Sequence, residues 1–208
     1  VSLLQLIGNL PPENITRGQG PNGKAYYLFT NNTNMEQLAL THLPSPLYRD
    51  FSLVFHLKPT SEDAGVIFSI TDSNQNIMYV GVKLSAVKDG NRKVIFYYTE
   101  PDAEKSQEVA SFEVAHRPEE WSRFSLAINL DQVFFYEDCD SEPKVATLQR
   151  SPDYLELETN SKIFVGQSGA DDPNKFQGMI SELRMVGKPQ VAEHHCDDSD
   201  DDDYEVSS

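Results

Sequence analysis

Short apolar stretches that alternate with polar residues, each closed by a turn signal, constrain this 208-residue chain more than any other feature. Phe51, Leu53, Phe55 and Leu57 fall on one side of an extended segment, with Asp50, Ser52, Val54, His56 and Lys58 on the other. A period of two is the mark of a half-buried strand. Phe124, Leu126, Ile128 and Leu130 repeat the pattern against Arg123, Ser125, Ala127 and Asn129. Ten further strands are expected at 25–30, 37–42, 64–71, 76–85, 92–98, 109–114, 133–137, 144–148, 162–166 and 178–186. Two links are short enough to force antiparallel neighbours: Lys88-Asp89-Gly90-Asn91, whose Asp-Gly pair accepts the positive backbone angles of a tight turn, and Leu130-Asp131-Gln132. The one helical signature is at the start, where Ser2 and Gln5 form a capping pair and Leu3, Leu6, Ile7 and Leu10 recur at helical spacing. The lack of ten-to-fifteen-residue helices alternating with the strands argues against a parallel α/β fold. The predicted fold is all-β: an antiparallel two-sheet jelly-roll sandwich with a short N-terminal helix over one end.

Charge divides the chain. It carries 17 Lys and Arg against 33 Asp and Glu, a net −16, and seven of the acids lie in residues 197–208. Residues 1–196 keep 26 acids against 17 bases, a net −9. The tail repels itself and has too few apolar residues to offset the entropy of ordering, so residues 1–196 read as one domain and 197–208 as an acidic disordered linker. Tyr204, set among these acids, would suit sulfation. An acidic chain with no Lys/Arg block is repelled by phosphate backbones, so nucleic acid is not an expected partner. No apolar run approaches the roughly 20 residues that span a bilayer. The 11 Gly and 12 Pro show no three-residue period, so no triple helix forms within the segment.

Cys139 and Cys196 belong to no paired-cysteine motif. With the sequons Asn14-Ile15-Thr16 and Asn31-Asn32-Thr33 they point to a secreted domain with a single disulfide, the alternative being two buried free thiols. A bridge closing such a loop would stabilise the fold by about 4 kcal/mol in the chain-entropy model.

Catalysis by a glycosidase needs two carboxylates facing one another across a sugar. The candidates are Glu137, Asp138, Asp140 and Glu142, and the pair Glu156 and Glu158, which share a face if extended. The first group runs into a turn, and the single Trp121 begins a core-like strand, so these read as solvated acids and no catalytic residue is assigned. His194-His195-Cys196 has atoms that suit zinc, but adjacent histidines in an extended chain point opposite ways. Asp72 and Asn74, or Asp171 and Asp172, have oxygens that suit calcium, yet turn capping explains them more simply. No cofactor or metal is therefore expected.

Five segments, taken in order, resemble the thrombospondin N-terminal-like domain. They are Ser2-Leu3-Leu4-Gln5-Leu6-Ile7-Gly8, Arg49-Asp50-Phe51-Ser52-Leu53-Val54-Phe55-His56-Leu57-Lys58-Pro59, Gly65-Val66-Ile67-Phe68-Ser69-Ile70-Thr71-Asp72, Trp121-Ser122-Arg123-Phe124-Ser125-Leu126, and Lys175-Phe176-Gln177-Gly178-Met179-Ile180-Ser181-Glu182-Leu183-Arg184. Within that family Val82-Lys83-Leu84-Ser85, Tyr98-Thr99-Glu100-Pro101, the loop Gly166 to Pro173 and the acidic end are similar to the amino-terminal module of the type XV/XVIII collagen group. The resemblance implies a laminin-G and concanavalin type of sandwich, with Cys139 paired to Cys196. It implies a secreted module in the extracellular matrix and basement membrane that binds other matrix proteins. The isolated domain would be a monomer and the parent chain a homotrimer. Heparin or heparan sulfate binding, known in the family, would fall to Lys88, Arg92 and Lys93 with Lys83 nearby, a weak patch on an acidic body.

Overall fold

The computed structural model describes residues 2–3, 15–20, 23–140, 142–169 and 172–196. Thirteen strands lie among them: β1 Thr16–Gln19, β2 Ala25–Phe29, β3 Glu36–Leu38, β4 Phe51–Pro59, β5 Gly65–Thr71, β6 Met78–Leu84, β7 Asn91–Tyr98, β8 Glu108–Ala115, β9 Ser122–Asn129, β10 Gln132–Glu137, β11 Lys144–Thr147, β12 Lys162–Val165 and β13 Gly178–Val186. They form a seven-stranded sheet, β1-β2-β13-β4-β9-β10-β11, and a six-stranded sheet, β3-β12-β5-β6-β7-β8, and every pairing within them is antiparallel. The predicted two-sheet sandwich is what the chain forms.

Aromatic rings hold the layers together. Phe112 of β8 stacks on Phe135 of β10 at 5.0 Å, while Phe55 of β4 meets Phe124 of β9 at 4.8 Å and Phe68 of β5 at 6.3 Å. Leu53, Leu57, Val80, Val82, Phe96, Leu126, Ile128 and Leu183 fill the space around them. The side of the sandwich beside β8 is closed by Lys144 of β11, whose Nζ donates to the Glu113 carbonyl at 2.7 Å. A lysine spent on an edge carbonyl also removes one site at which a foreign strand could pair.

Strand polarity gives the molecule two distinct ends. At one end lie the exits of β2, β4 and β10 and the β6–β7 hairpin, in which Lys88 and Asn91 exchange backbone hydrogen bonds while Asp89 and Gly90 take φ of 53° and 79°. At the other end lie the β9–β10 turn and the loops 39–50, 72–77, 99–107 and 148–161.

Three expectations are corrected, and one strand that alternation did not mark is added. The strand expected at 37–42 is only Glu36–Leu38, because the chain turns into a 3₁₀ helix at Ala39–Thr41, with Ala39 N–H donating to the Ser161 carbonyl. Leu130 does not continue the inward face of β9; it sits in the turn at φ 54° and is 70% exposed. β1, whose polar TRGQ sequence carries no alternation, pairs with β2 as a sheet edge. Finally, β4 is buried on both faces rather than half-buried. A second 3₁₀ helix, Pro189–His194, lies against β4 and β9 and helps to sequester Ser52, Val54, His56, Ser125 and Ala127. Most of the expected N-terminal helix, the acidic tail 197–208, Tyr204, Asn14 and Asp171 lie outside the described residues. Ser2, which is described, bridges to Arg184 of β13, and Leu3 is fully buried.

Candidate functional site

Cys139 and Cys196 are joined, with Cα atoms 5.5 Å apart. β13 ends at Val186 at the far end of the sandwich, and the second 3₁₀ helix carries the chain back across the outer face of β9 to reach Cys139 just beyond β10. Polar contacts fix this return. Arg123 donates to the His195 carbonyl at 3.1 Å, and Ser125 Oγ donates to the Ala192 carbonyl at 2.6 Å. His195 Nδ1 lies 2.8 Å from that same carbonyl and 2.9 Å from Ser125 Oγ. A carbonyl can only accept, so Nδ1 carries the proton, and His195 cannot serve Ser125 as a base through that nitrogen. The pair is a buried structural contact. Nor can this segment hold zinc through a thiolate, because the Cys196 sulfur is committed to the disulfide.

Beside the clamp, His56 is buried against Trp121, ring centroids 5.1 Å apart, and Trp121 in turn meets Tyr26 at 5.9 Å. Burial lowers the His56 pKa to about 4, with the Arg123 and Lys24 charges acting in the same direction and Glu182 opposing them. The imidazole is therefore neutral at physiological pH.

The residues considered for heparin, Lys88, Arg92 and Lys93, line one groove beside the β6–β7 hairpin together with Asp89 and Glu113. Arg92 is 5% exposed, and its guanidinium donates to the carbonyls of Ser85 at 3.1 Å, Asp63 at 3.1 Å and Ser61 at 3.4 Å. It ties the β6–β7 hairpin to the β4–β5 loop and presents no charge to solvent. Lys88 and Lys93 are exposed, but Asp89 lies in the same hairpin and Glu113 pairs opposite Lys93 across β7 and β8.

The carboxylates considered for hydrolysis do not face one another across a cleft. Arg117 Nη2 donates to both carboxylate oxygens of Asp138, at 2.9 and 3.1 Å, and Glu137 lies 3.7 Å from Lys144. Asp140 caps the turn at Glu142. Glu156 and Glu158 do share a face, since Leu155 and Leu157, which alternate with them, are buried, and both glutamates are exposed. The cavity between the sheets beside Leu57, Phe124 and His116 is about 40 Å³, room for two or three waters, and the larger hollows are open surface grooves. The rim acids cap turns: Asp72 accepts from the N–H groups of Asn76 and Ile77, and Asp172 from those of Ser168 and Asn174. No group of three or more metal-ligating side chains occurs among the described residues.

The far end is different in character. Of the five large apolar side chains exposed among the described residues, Leu130, Tyr154, Leu38 and Leu40, at 70, 57, 47 and 39%, lie there, and Val145, at 51%, lies on the edge strand β11. The cations among them are already engaged. Arg150 pairs with Asp50 at 2.6 Å, donates to the Leu130 carbonyl at 2.9 Å and lies 5.3 Å over the Tyr98 ring. Arg49 donates to the Asp153 carbonyl at 3.0 Å and lies 6.0 Å over the Tyr154 ring. Sequence reading missed this rim, because alternation had assigned Leu38, Leu40 and Leu130 to strands.

The fold class is that of a laminin-G-like, jelly-roll sandwich. A horseshoe-crab (Limulus polyphemus) pentraxin superposes with a TM-score of 0.59 at 14% identity, over 86% of this chain and 79% of that one. Domains LG4-5 of the mouse laminin alpha1 chain superpose with a TM-score of 0.50 at 12% identity, over 78% and 42%. No family model matches the sequence. The chain is a homologue of the human collagen alpha-1(XVIII) chain, 41% identical over all 208 residues, and spans 12% of that relative's length.

Proposed function

We propose that residues 1–196 are a non-catalytic, thrombospondin N-terminal-like module of a secreted, non-fibrillar collagen and proteoglycan of the type XV/XVIII group, nearest to the type XV chain. Its role is that of a structural and interaction domain in the extracellular matrix and basement membrane. The carrying observation is the 41% identity to a collagen chain along the entire sequence. In this reading the isolated domain is a monomer, residues 197–208 are an acidic linker, and triple-helical regions elsewhere hold three copies together.

The two ends of the sandwich support an interaction role. Cys196, the last described residue, lies at the clamped end, while the exposed Leu130, Tyr154, Leu38 and Leu40 lie at the opposite end. A module tethered through its clamp presents those side chains outward, and an exposed tyrosine such as Tyr154 is of the type enriched among the residues that carry protein contacts. Heparin binding draws no support from the geometry, given where Arg92 points.

The test immobilises the domain through its acidic tail and exposes it to basement-membrane extract. The expected result is a matrix protein, identified by mass spectrometry, that stays bound in 0.5 M salt and is lost from the Leu130→Ser, Tyr154→Ser double variant but not from Lys88→Ala, Lys93→Ala. Retention that ignores the first pair and disappears with the second would overturn the reading.

A further inference from the structure

We propose that Asn31 carries an N-linked glycan, attached before the domain folds, that covers the groove between the β4–β5 loop and the loop following β12. The proposal rests on the secretory reading above. Asn31 begins the sequon Asn31-Asn32-Thr33 in the turn between β2 and β3. The turn is closed by Thr33 N–H donating to the Thr30 carbonyl at 3.1 Å and by Thr30 N–H donating to Thr33 Oγ1 at 3.0 Å, with Asn32 N–H reaching Thr30 Oγ1 at 3.2 Å. Backbone and hydroxyl groups of the turn thus satisfy one another, and the Asn31 carboxamide is left in solvent. A bulky, hydrated substituent there displaces no packing.

The partner residue fixes the order of events. Thr33 is 3% exposed with its hydroxyl engaged inside the turn. A transferase that must read that hydroxyl can do so only while the segment is still extended. The donor is a polyisoprenyl diphosphate oligosaccharide. The Asn31 nitrogen forms a bond to the anomeric carbon as the bond from that carbon to the phosphate oxygen breaks. The diphosphate leaves with the electron pair, and the amide proton passes to a base of the transferase.

The groove that Asn31 borders is built from Asp63, Ala64, Asp172, Asn174 and Lys175. Lys175 is held by its Nζ donating to the Thr33 carbonyl at 3.2 Å, so the floor is joined to the sequon itself. The first sugar residues would lie over this acidic and amide-rich surface, at the same end as the clamp. Covering it leaves the opposite, apolar rim as the protein-facing end.

The experiment compares native protein from the extracellular fraction of tissue with the 208-residue chain sent into the secretory pathway of cultured cells by an added leader. Enzymatic deglycosylation in heavy-oxygen water marks each occupied asparagine by a mass gain of about 3 Da. The mark is expected at Asn31 in both samples, kept in Thr33→Ser and lost in Asn31→Gln, which leaves every hydrogen bond of the turn in place. A bare Asn31 in both samples overturns the proposal while leaving secretion untouched. A mark in the leader-directed chain, with the native protein absent from the extracellular fraction, upholds the acceptor site and sinks the secretory reading instead.

Discussion

Arg92→Ala separates a structural arginine from a ligand-binding one. The guanidinium satisfies three backbone carbonyls, those of Ser85, Asp63 and Ser61, at 3.1, 3.1 and 3.4 Å, from a side chain that is almost wholly buried. Charge-assisted hydrogen bonds contribute about 1.5–3 kcal/mol each when buried, but these carbonyls belong to loops and recover some water when the side chain is removed. A net loss of about 3 kcal/mol is expected, which for a domain of this size lowers the melting temperature by roughly 6–12 °C. Lys88→Ala and Lys93→Ala remove exposed charges and should change stability by no more than about 0.5 kcal/mol. Urea titration gives the free energies, and heparin chromatography in physiological salt gives the binding. If Arg92→Ala melted with the parent protein yet eluted earlier from heparin, the argument that burial has consumed its charge would be refuted.

Three other perturbations test separate parts of the fold. Cys139→Ser, Cys196→Ser releases the return segment and should cost up to about 4 kcal/mol in urea, with amide-exchange protection falling furthest in the 3₁₀ helix and β9. Arg150→Met leaves Asp50 unpaired and the Leu130 and Arg49 carbonyls without their donor; a midpoint shift equivalent to about 3 kcal/mol is expected, and one below 1 kcal/mol would show that the ion pair is replaceable. His56 titrates at about 4 when folded, against 6.5 for an unperturbed imidazole, so the unfolded chain binds the extra proton between those values. The stability it contributes is whole above pH 6.5, declines as pH falls towards 4, and amounts to up to about 3 kcal/mol. His56→Phe should flatten that part of the pH–stability curve, and an unchanged curve would mean the imidazole is solvated.

Much of the sandwich was legible because a strand buried on one face must alternate, and a tight hairpin must carry residues that accept positive φ. Phe124, Leu126 and Ile128, and Asp89-Gly90, obey those local rules and stand where they were expected. The same rules misled at 37–42 and Leu130, where a hydrogen bond to Ser161 and a two-residue turn overrode the pattern. β1 gave no signal because a short polar edge strand has no core-facing side chains to mark it.

The site residues divide in the same way. Sequence alone brought out the sequons, the acidic balance and the one available cysteine pair, all of which are properties of local order or of a sum. Whether an arginine faces solvent, whether β4 has one buried face or two, and which end of the body carries exposed leucine and tyrosine depend on what distant segments cover. Alternation reports the face of a strand that meets its own partner sheet. It carries no record of a helix that returns more than sixty residues later to lie on the other face, as Ala192 does over Ser125, so only the assembled tertiary structure could decide where this chain is closed and where it is open.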